Sequence, residues 1–477
     1  MPASALTCPR ILVAGLGGGS GKTIVSLGLA RTFTEQGLRV QAFKKGPDYI
    51  DAKWLGLASR SITSNLDPFL LSSEVLQNLF WSRAQGSDFA LLEGNRGLYD
   101  GKDVQGTCSS AELAKTLKCP VIVVADCTKV TRTMAAIILG LTVFDPLVDI
   151  RGVILNRTAG CRHQNILRQS IEKYTNVQVL GILPKLQENP IPERHMGLIS
   201  DAEFDQDPFS DLAAFMRTHA DIDACLSIAR SAPAVSGNLS SLYPPELPGE
   251  RVRIGVARDA ALWFYYQENF DALRSAGAEI VEFSLLEDHC LPDVDAVYMG
   301  GGFPETLAQG LTQNTSMRQS VRDVVLEGMP VYAECGGLMY LSQKLQYEGA
   351  SYPMAGVFPL TTKVFKKPQG HGYMSSVVAS ANPFYALNTT LTGHEFHYSR
   401  CIDVEEMASF VFEVEMGQGI TKGYDGVLFR NCLAGYTHMH ALGNPLWAQN
   451  FVSSARIFKN HRKAGTSCPD IRLQEST

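Results

Sequence analysis

No C-x-x-C pair occurs among the eleven cysteines of this 477-residue chain, and no long block of one charge sign interrupts it. Scattered cysteines without zinc spacing suit a reduced, cytoplasmic chain. With 42 Lys and Arg against 48 Asp and Glu, the net charge of −6 gives no electrostatic reason to expect nucleic acid or an anionic membrane as partner. Residues Met1 to Arg10 show no basic start leading into an apolar run, and the most apolar stretch, Ala135 to Phe144, is too short to span a bilayer. Internal repeats and low-complexity tracts are missing as well. What remains is globular composition, 45% hydrophobic and 19% charged, in a length that suits two or three domains of about 150 residues or more.

Along the first half, short apolar runs alternate with segments of helical period. Ile11–Gly15, Arg39–Phe43, Phe89–Glu93, Val121–Ala125 and Gly152–Asn156 read as strands, with helices over Lys22–Gln36 and Thr131–Phe144. Continuous apolar runs of this kind fit strands covered on both faces, which predicts a parallel sheet flanked by helices. Residues 231–250 hold four prolines and no period, and they read as a linker. The α/β pattern then restarts with strands Arg253–Ala257, Glu279–Phe283 and Asp295–Met299 and a helix over Trp263–Ala276. The expected layout is a first α/β domain over 1–230, a second over 251–454, and a polar, poorly ordered tail over 455–477.

The first strand runs into Gly15-Leu-Gly-Gly-Gly-Ser-Gly-Lys-Thr23. Gly15 and Gly21 enclose five residues, one more than the standard phosphate loop allows. The chemistry survives the difference: small residues let backbone N–H groups face phosphates, and the helix N-terminus adds its dipole. Lys22 would meet β/γ-phosphate oxygens and Thr23 would place a hydroxyl on Mg2+. A hard cation also needs carboxylates. Asp48 and Asp51 in Lys44-Lys-Gly-Pro-Asp-Tyr-Ile-Asp51, and Glu93 and Asp100 in Glu93-Gly-Asn-Arg-Gly-Leu-Tyr-Asp-Gly101, follow strands and could converge on the loop. Lys44 and Lys45 suit a phosphate or an anionic substrate.

In the second half a strand, Pro330–Glu334, enters Cys335-Gly-Gly-Leu-Met-Tyr-Leu341. A nucleophile on a tight strand-to-helix turn is exposed, and the helix N-terminus is expected to lower its pKa and offer an oxyanion donor at Gly336. Gly300-Gly-Gly-Phe-Pro-Glu305 suits a second donor, at Gly301. Tyr436-Thr-His-Met-His440 presents two histidines, either of which could serve as base. Gly393-His-Glu-Phe-His-Tyr-Ser-Arg400 lacks the H-E-x-x-H spacing of a zinc site and reads as a surface or interdomain segment.

Taken together, Gly15 to Lys22, Lys45–Asp51, Asn65–Asp67, Glu93 with Gly97–Gly101, Gly300–Glu305, Cys335–Gly337, Gly393–Ser399 and Tyr436–His438 closely resemble the cobyrinate a,c-diamide synthase family of corrinoid biosynthesis. The resemblance covers nearly the whole chain. It implies a P-loop domain similar to dethiobiotin synthetase, joined to a class I glutamine amidotransferase domain. The implied reaction activates acetate carboxylates as acyl phosphates with ATP and amidates them with ammonia from glutamine. On this reading Gly15, Gly21, Lys22 and Thr23 bind ATP, and Thr23, Asp48 and Glu93 hold Mg2+. Asp51, Asp100 and Lys45 serve substrate and phosphoryl transfer. Cys335 is the nucleophile and His438 its base. Class I enzymes place a Glu two residues after that histidine, whereas position 440 here is His, so the group that orients His438 is left open. Asn95 and Arg96 also depart from the family pattern, and Arg96 bears on the choice of tetrapyrrole.

Small molecules are the implied partners, and a homodimer is compatible with the pattern. Diamide synthases acting on Ni-sirohydrochlorin or hydrogenobyrinate share these motifs. Cobyric acid synthase lacks the Gly-Pro-Asp-Tyr-Ile-Asp signature, and CTP synthetase has a different loop. A partition-type ATPase switch is the reading from another class, but such proteins carry a Lys early in the loop and no amidotransferase half.

Overall fold

The computed structural model describes residues 4–188, 191, 207–237, 241–402, 404, 409–421 and 423–473. Two compact units divide between Leu242 and Tyr243. Linker residues 238–240 and tail residues 474–477 lie outside the described set.

In the first unit, seven strands form one sheet in the order Ser64–Leu66, Val40–Lys45, Phe89–Gly97, Arg10–Gly15, Val121–Asp126, Ile150–Thr158, Gln178–Pro184. Every pairing in it is parallel. Ile11 and Val13 on one face and Leu12 on the other are fully buried, as are Ile122, Val124 and, between them, Val123, which two-sided coverage of the sheet requires. From the central strand Arg10–Gly15 the chain winds first toward one edge and later toward the other. The crevice at the strands' C-terminal ends is where open α/β sheets take ligands, and the glycine-rich loop opens into it.

The second unit is also α/β, around a ten-stranded mixed sheet among the described residues. Ala278–Phe283, Val252–Ala257, Ala296–Met299, Val331–Glu334 and Cys432–Gly435 pair in parallel, and the antiparallel strands continue from Tyr424–Phe429 to His438–Met439. Val331–Glu334 thus lies beside Cys432–Gly435, with Glu334 opposite Gly435.

Four readings of the sequence are corrected. The helix expected over Trp263–Ala276 covers only Gln267–Ser275, because Leu262–Phe264 is extended and pairs with Gly301–Gly302. Its Leu262 and Phe264 are buried on either side of a half-exposed Trp263, a two-residue period that the helical reading overlooked. The segment 231–250 is not a free linker throughout: Val235–Gly237 pairs with Ser4–Leu6. Farther along it, the Arg456 guanidinium donates to the carbonyls of Leu247, Pro248 and Glu250. The expected polar tail begins inside a helix, Trp447–Ala464, whose Ala455 and Phe458 are buried. Their spacing continues the apolar face of Phe451 and Val452, and Cys468 and Ile471 beyond the helix are buried too. Lastly, Gly393–Ser399 is no surface segment, since His394, Glu395 and His397 are all at least 95% buried.

Truncating Phe458 to Ala should therefore destabilise the second unit by about 3–5 kcal/mol, read as a lowered urea midpoint. An unchanged midpoint would return residues beyond 454 to the status of a tail.

Candidate functional site

The first cluster lies at the glycine loop. Gly21 precedes the helix Lys22–Glu35 with φ of 94°, a conformation that disfavours a side chain, and a Cβ there would lie 2.1 Å from Asn156 Nδ2. Asn156, at the end of its strand, donates to Ser20 O at 2.9 Å and so holds the loop from below. The helices that start after Asp48, Ser72 and Ser109 are each capped by those side chains, yet the helix at Lys22 has no side-chain cap. Its first amides thus have no side-chain acceptor, a condition it shares with the helices Thr133–Phe144 and Cys161–Tyr174 and one that an anion site needs. Lys22 is buried and donates to Gly17 O at 3.0 Å. Burial pulls its pKa down, opposed by the charges of Glu93, Asp51 and Asp100.

Glu93 is fully buried at the centre. Its Oε1 accepts from Thr23 Oγ1 at 2.9 Å and from Lys44 Nζ at 3.0 Å. Lys44 is buried as well and also meets Asp51 Oδ2 at 3.0 Å. Against the downward pull of burial, Asp51, Glu93 and Asp48 raise its pKa well above the ordinary lysine value. Asp48 caps the helix Tyr49–Ser59, accepting from the amides of Ile50 and Asp51 at 2.9 and 3.0 Å. Asp100 accepts from Gly97 N at 2.8 Å, and Leu98 N donates to Gly15 O, tying that loop to the phosphate loop. Lys45 points to the opposite side of its strand from Lys44. There it is buried near Asp67, and burial lowers its pKa.

Thr23 and Glu93 fit a divalent cation, while Asp48, expected from the sequence as a third ligand, uses its Oδ1 to cap its helix. The second carboxylate oxygen of Glu93 is buried and has no hydrogen-bond partner, which a metal would supply. No cluster of three or more His, Cys, Asp or Glu suited to a metal occurs among the described residues. Mg2+ keeps waters and takes phosphate oxygens, so a hydroxyl and one carboxylate can suffice as its protein ligands.

The second cluster surrounds Cys335. Its φ of 48° and ψ of −95° place it on a strained corner between Val331–Glu334 and the short helix Gly336–Leu341. Its amide donates to Gly435 O at 2.7 Å. A Cβ on Gly336 would lie 2.9 Å from Gly302 N, so the Gly300–Glu305 loop packs directly on this corner. Contrary to the expected lowering, burial pushes the thiol pKa far up, and Glu305 and Glu334 add to the rise. Only the Gly336 amide, donating toward the sulfur, is a hydrogen bond pulling the other way. The thiol is 4% exposed and the helix after it has only six residues, too short a dipole to offset desolvation.

His438 lies on the other side of the Gly301–Gly302 backbone that packs on this corner. Asp425, fully buried, receives the amides of Tyr436 and Thr437 at 3.0 Å each and fixes the turn that delivers the histidine. Gly301 lies against the imidazole, where a Cβ would come within 2.4 Å of its Cε1. The orienting group left open by the sequence is Glu334: its Oε2 meets His438 Nδ1 at 3.2 Å, with both side chains 1% exposed. Its Oε1 accepts from Met439 N at 3.3 Å and Tyr298 Oη at 3.4 Å. Burial raises the Glu334 pKa, and the imidazole opposes the rise. His440 turns away, 3.6 Å from Glu268. His394 stacks on His438 with centroids 4.9 Å apart, and burial pulls its pKa well below the usual imidazole value. Sequence reasoning missed Glu334, Asp425 and Asn156. The one available signal was Glu334 itself, an acid ending an otherwise apolar strand beside the nucleophile.

Residues 11–199 match the CobQ/CobB/MinD/ParA nucleotide binding domain, and residues 253–446 match the CobB/CobQ-like glutamine amidotransferase domain. A cobyrinate a,c-diamide synthase of Magnetococcus marinus is 40% identical, over 92% of this chain and 96% of its own length. The protein of the same name from Archaeoglobus fulgidus is 43% identical over 94% and 97%, and that of Dehalococcoides mccartyi 38% over 94% and 99%. With both domains matched in order and the likeness running almost end to end, the chain belongs to the cobyrinate a,c-diamide synthase family.

Proposed function

We propose that this protein is a ligase that converts the a and c acetate carboxylates of cobyrinate to amides in cobalamin biosynthesis, consuming ATP and taking nitrogen from glutamine. The observation that carries the reading is a complete pair of reaction stations in one chain: the Thr23–Glu93–Lys44 cluster under the phosphate loop, and the Cys335–His438–Glu334 array. The names of relatives matched over more than nine-tenths of this chain support the choice of substrate.

In the glutamine half, Glu334 accepts the Nδ1 proton of His438 and leaves Nε2 to take the thiol proton. A thiol held neutral by burial loses its proton only as sulfur attacks the amide carbon, and Glu334 then balances the imidazolium. The Gly336 amide, with Gly301 across the corner, serves the oxyanion. Ammonia leaves, and water releases glutamate from the thioester.

In the ATP half, Lys22 and the uncapped amides hold the phosphates, and Thr23 and Glu93 hold Mg2+. The ion supplies charge neutralisation to the transferring phosphoryl group. Lys44 pins Asp51 and Glu93 in place despite their like charge. Asp48 fixes the start of the helix that carries Asp51. Asp51 and Asp100 line the place of the substrate carboxylate that accepts the phosphoryl group, whereas Lys45, expected there from the sequence, faces Asp67 on the other side of its strand; ammonia then displaces phosphate from the acyl carbon. Turnover of purified protein with cobyrinate, hydrogenobyrinate and Ni-sirohydrochlorin tests the substrate, with cobyrinate expected to be preferred.

Replacing Cys335 by Ala should abolish amidation from glutamine and spare amidation from high ammonium, whereas Lys22→Ala should stop both, followed as amide product. Loss of both activities in the cysteine variant would contradict the division of labour. Glu334→Gln keeps the shape but removes the charge. It should lower kcat for glutamine hydrolysis by about 10²- to 10⁴-fold with little change in KM. An unaltered kcat would remove Glu334 from the proton relay.

A further inference from the structure

One carboxyl close to the thiol has no task in the chemistry above. Glu305 sits on the single helical turn Pro304–Leu307, directly after the glycines that pack on the Cys335 corner. It is 6% exposed, and its Oε2 is buried with no hydrogen-bond partner. Among charged groups, Glu305 acts most strongly on the Cys335 sulfur, and its field also reaches the Tyr347 phenol. Burial pushes its pKa up to about 7, opposed only by a hydrogen bond from its own backbone amide and by no basic side chain among the described residues.

The other acids around the thiol are already engaged. Glu334 serves His438, Met439 N and Tyr298. Asp425 serves the amides and hydroxyl of the Tyr436–Thr437 turn. Burying a carboxylate without a partner is strongly unfavourable unless a cation arrives to meet it. A glutamine whose amide lies at Cys335 brings one cation, the α-ammonium group, four bonds from the reacting carbon. Resting on the glutaminase reading of this unit, we infer that Glu305 binds the α-ammonium group of glutamine and so selects an amino acid over other primary amides.

Glu305→Gln and the unaltered protein would be compared for glutamine hydrolysis, with 4-carbamoylbutanoate, which is glutamine without its amino group, as a competing ligand. The variant should raise KM for glutamine about tenfold or more, the loss expected for a charge-assisted hydrogen bond. Its inhibition constant for 4-carbamoylbutanoate should match that of the unaltered protein within about twofold, since no ammonium is there to lose. Retained binding of 4-carbamoylbutanoate verifies that the glutamine unit of the variant is folded. An unchanged KM, or an equal weakening toward both ligands, would overturn the assignment. Absence of glutamine hydrolysis by the unaltered protein would instead overturn the glutaminase reading, and the assignment with it.

Discussion

A buried hydrogen bond between Glu334 and His438 is the constraint on which the second unit is organised. Either group alone in that interior would carry a desolvation penalty of several kcal/mol. Tyr298 and the Met439 amide complete the carboxylate's shell, and Asn269 in turn holds Tyr298 and the Met439 carbonyl. The register that sets Glu334 opposite Gly435 and the Asp425 clamp on the following turn both serve to close this bond. Remote side chains thus set one nitrogen of one ring, and through it the thiol.

The first unit applies the same principle with the opposite sign at its centre. There a buried cation, Lys44, stands between Asp51 and Glu93, which would otherwise repel each other. In both places a charge too deep to be solvated is held by geometry. The group at the reactive surface, Thr23 in one case and His438 in the other, inherits its position from that buried partner.

Much of this was legible in the sequence because the signals are local. The apolar runs Ile11–Gly15 and Val121–Ala125 mark central strands, the glycines before Lys22 mark a phosphate loop, and Cys335-Gly-Gly marks a tight turn. What stayed hidden depends on contacts between distant residues. Glu334 reads as an ordinary polar end to a strand until Cys432–Gly435 pairs beside it and brings His438 over. The thiol's raised pKa reflects burial, which no motif reports. The histidines of Gly393–Ser399 read as a surface segment because their distant partners, Tyr436 and His438, meet them only after the antiparallel strands assemble. Trp263 was misread for a simpler reason, since three residues are too few to tell a two-residue period from a helical one.

The placement of the orienting acid also bears on folding. In the class I pattern acid and base are two residues apart, and the nucleophile must find both. Here acid and nucleophile are adjacent, and the base lies 104 residues beyond the acid. Closing the array therefore takes two long-range pairings, Cys432–Gly435 against Val331–Glu334 and His438–Met439 against Thr390–His397. A chain cut before Cys432 would keep acid and nucleophile side by side and lack the base altogether.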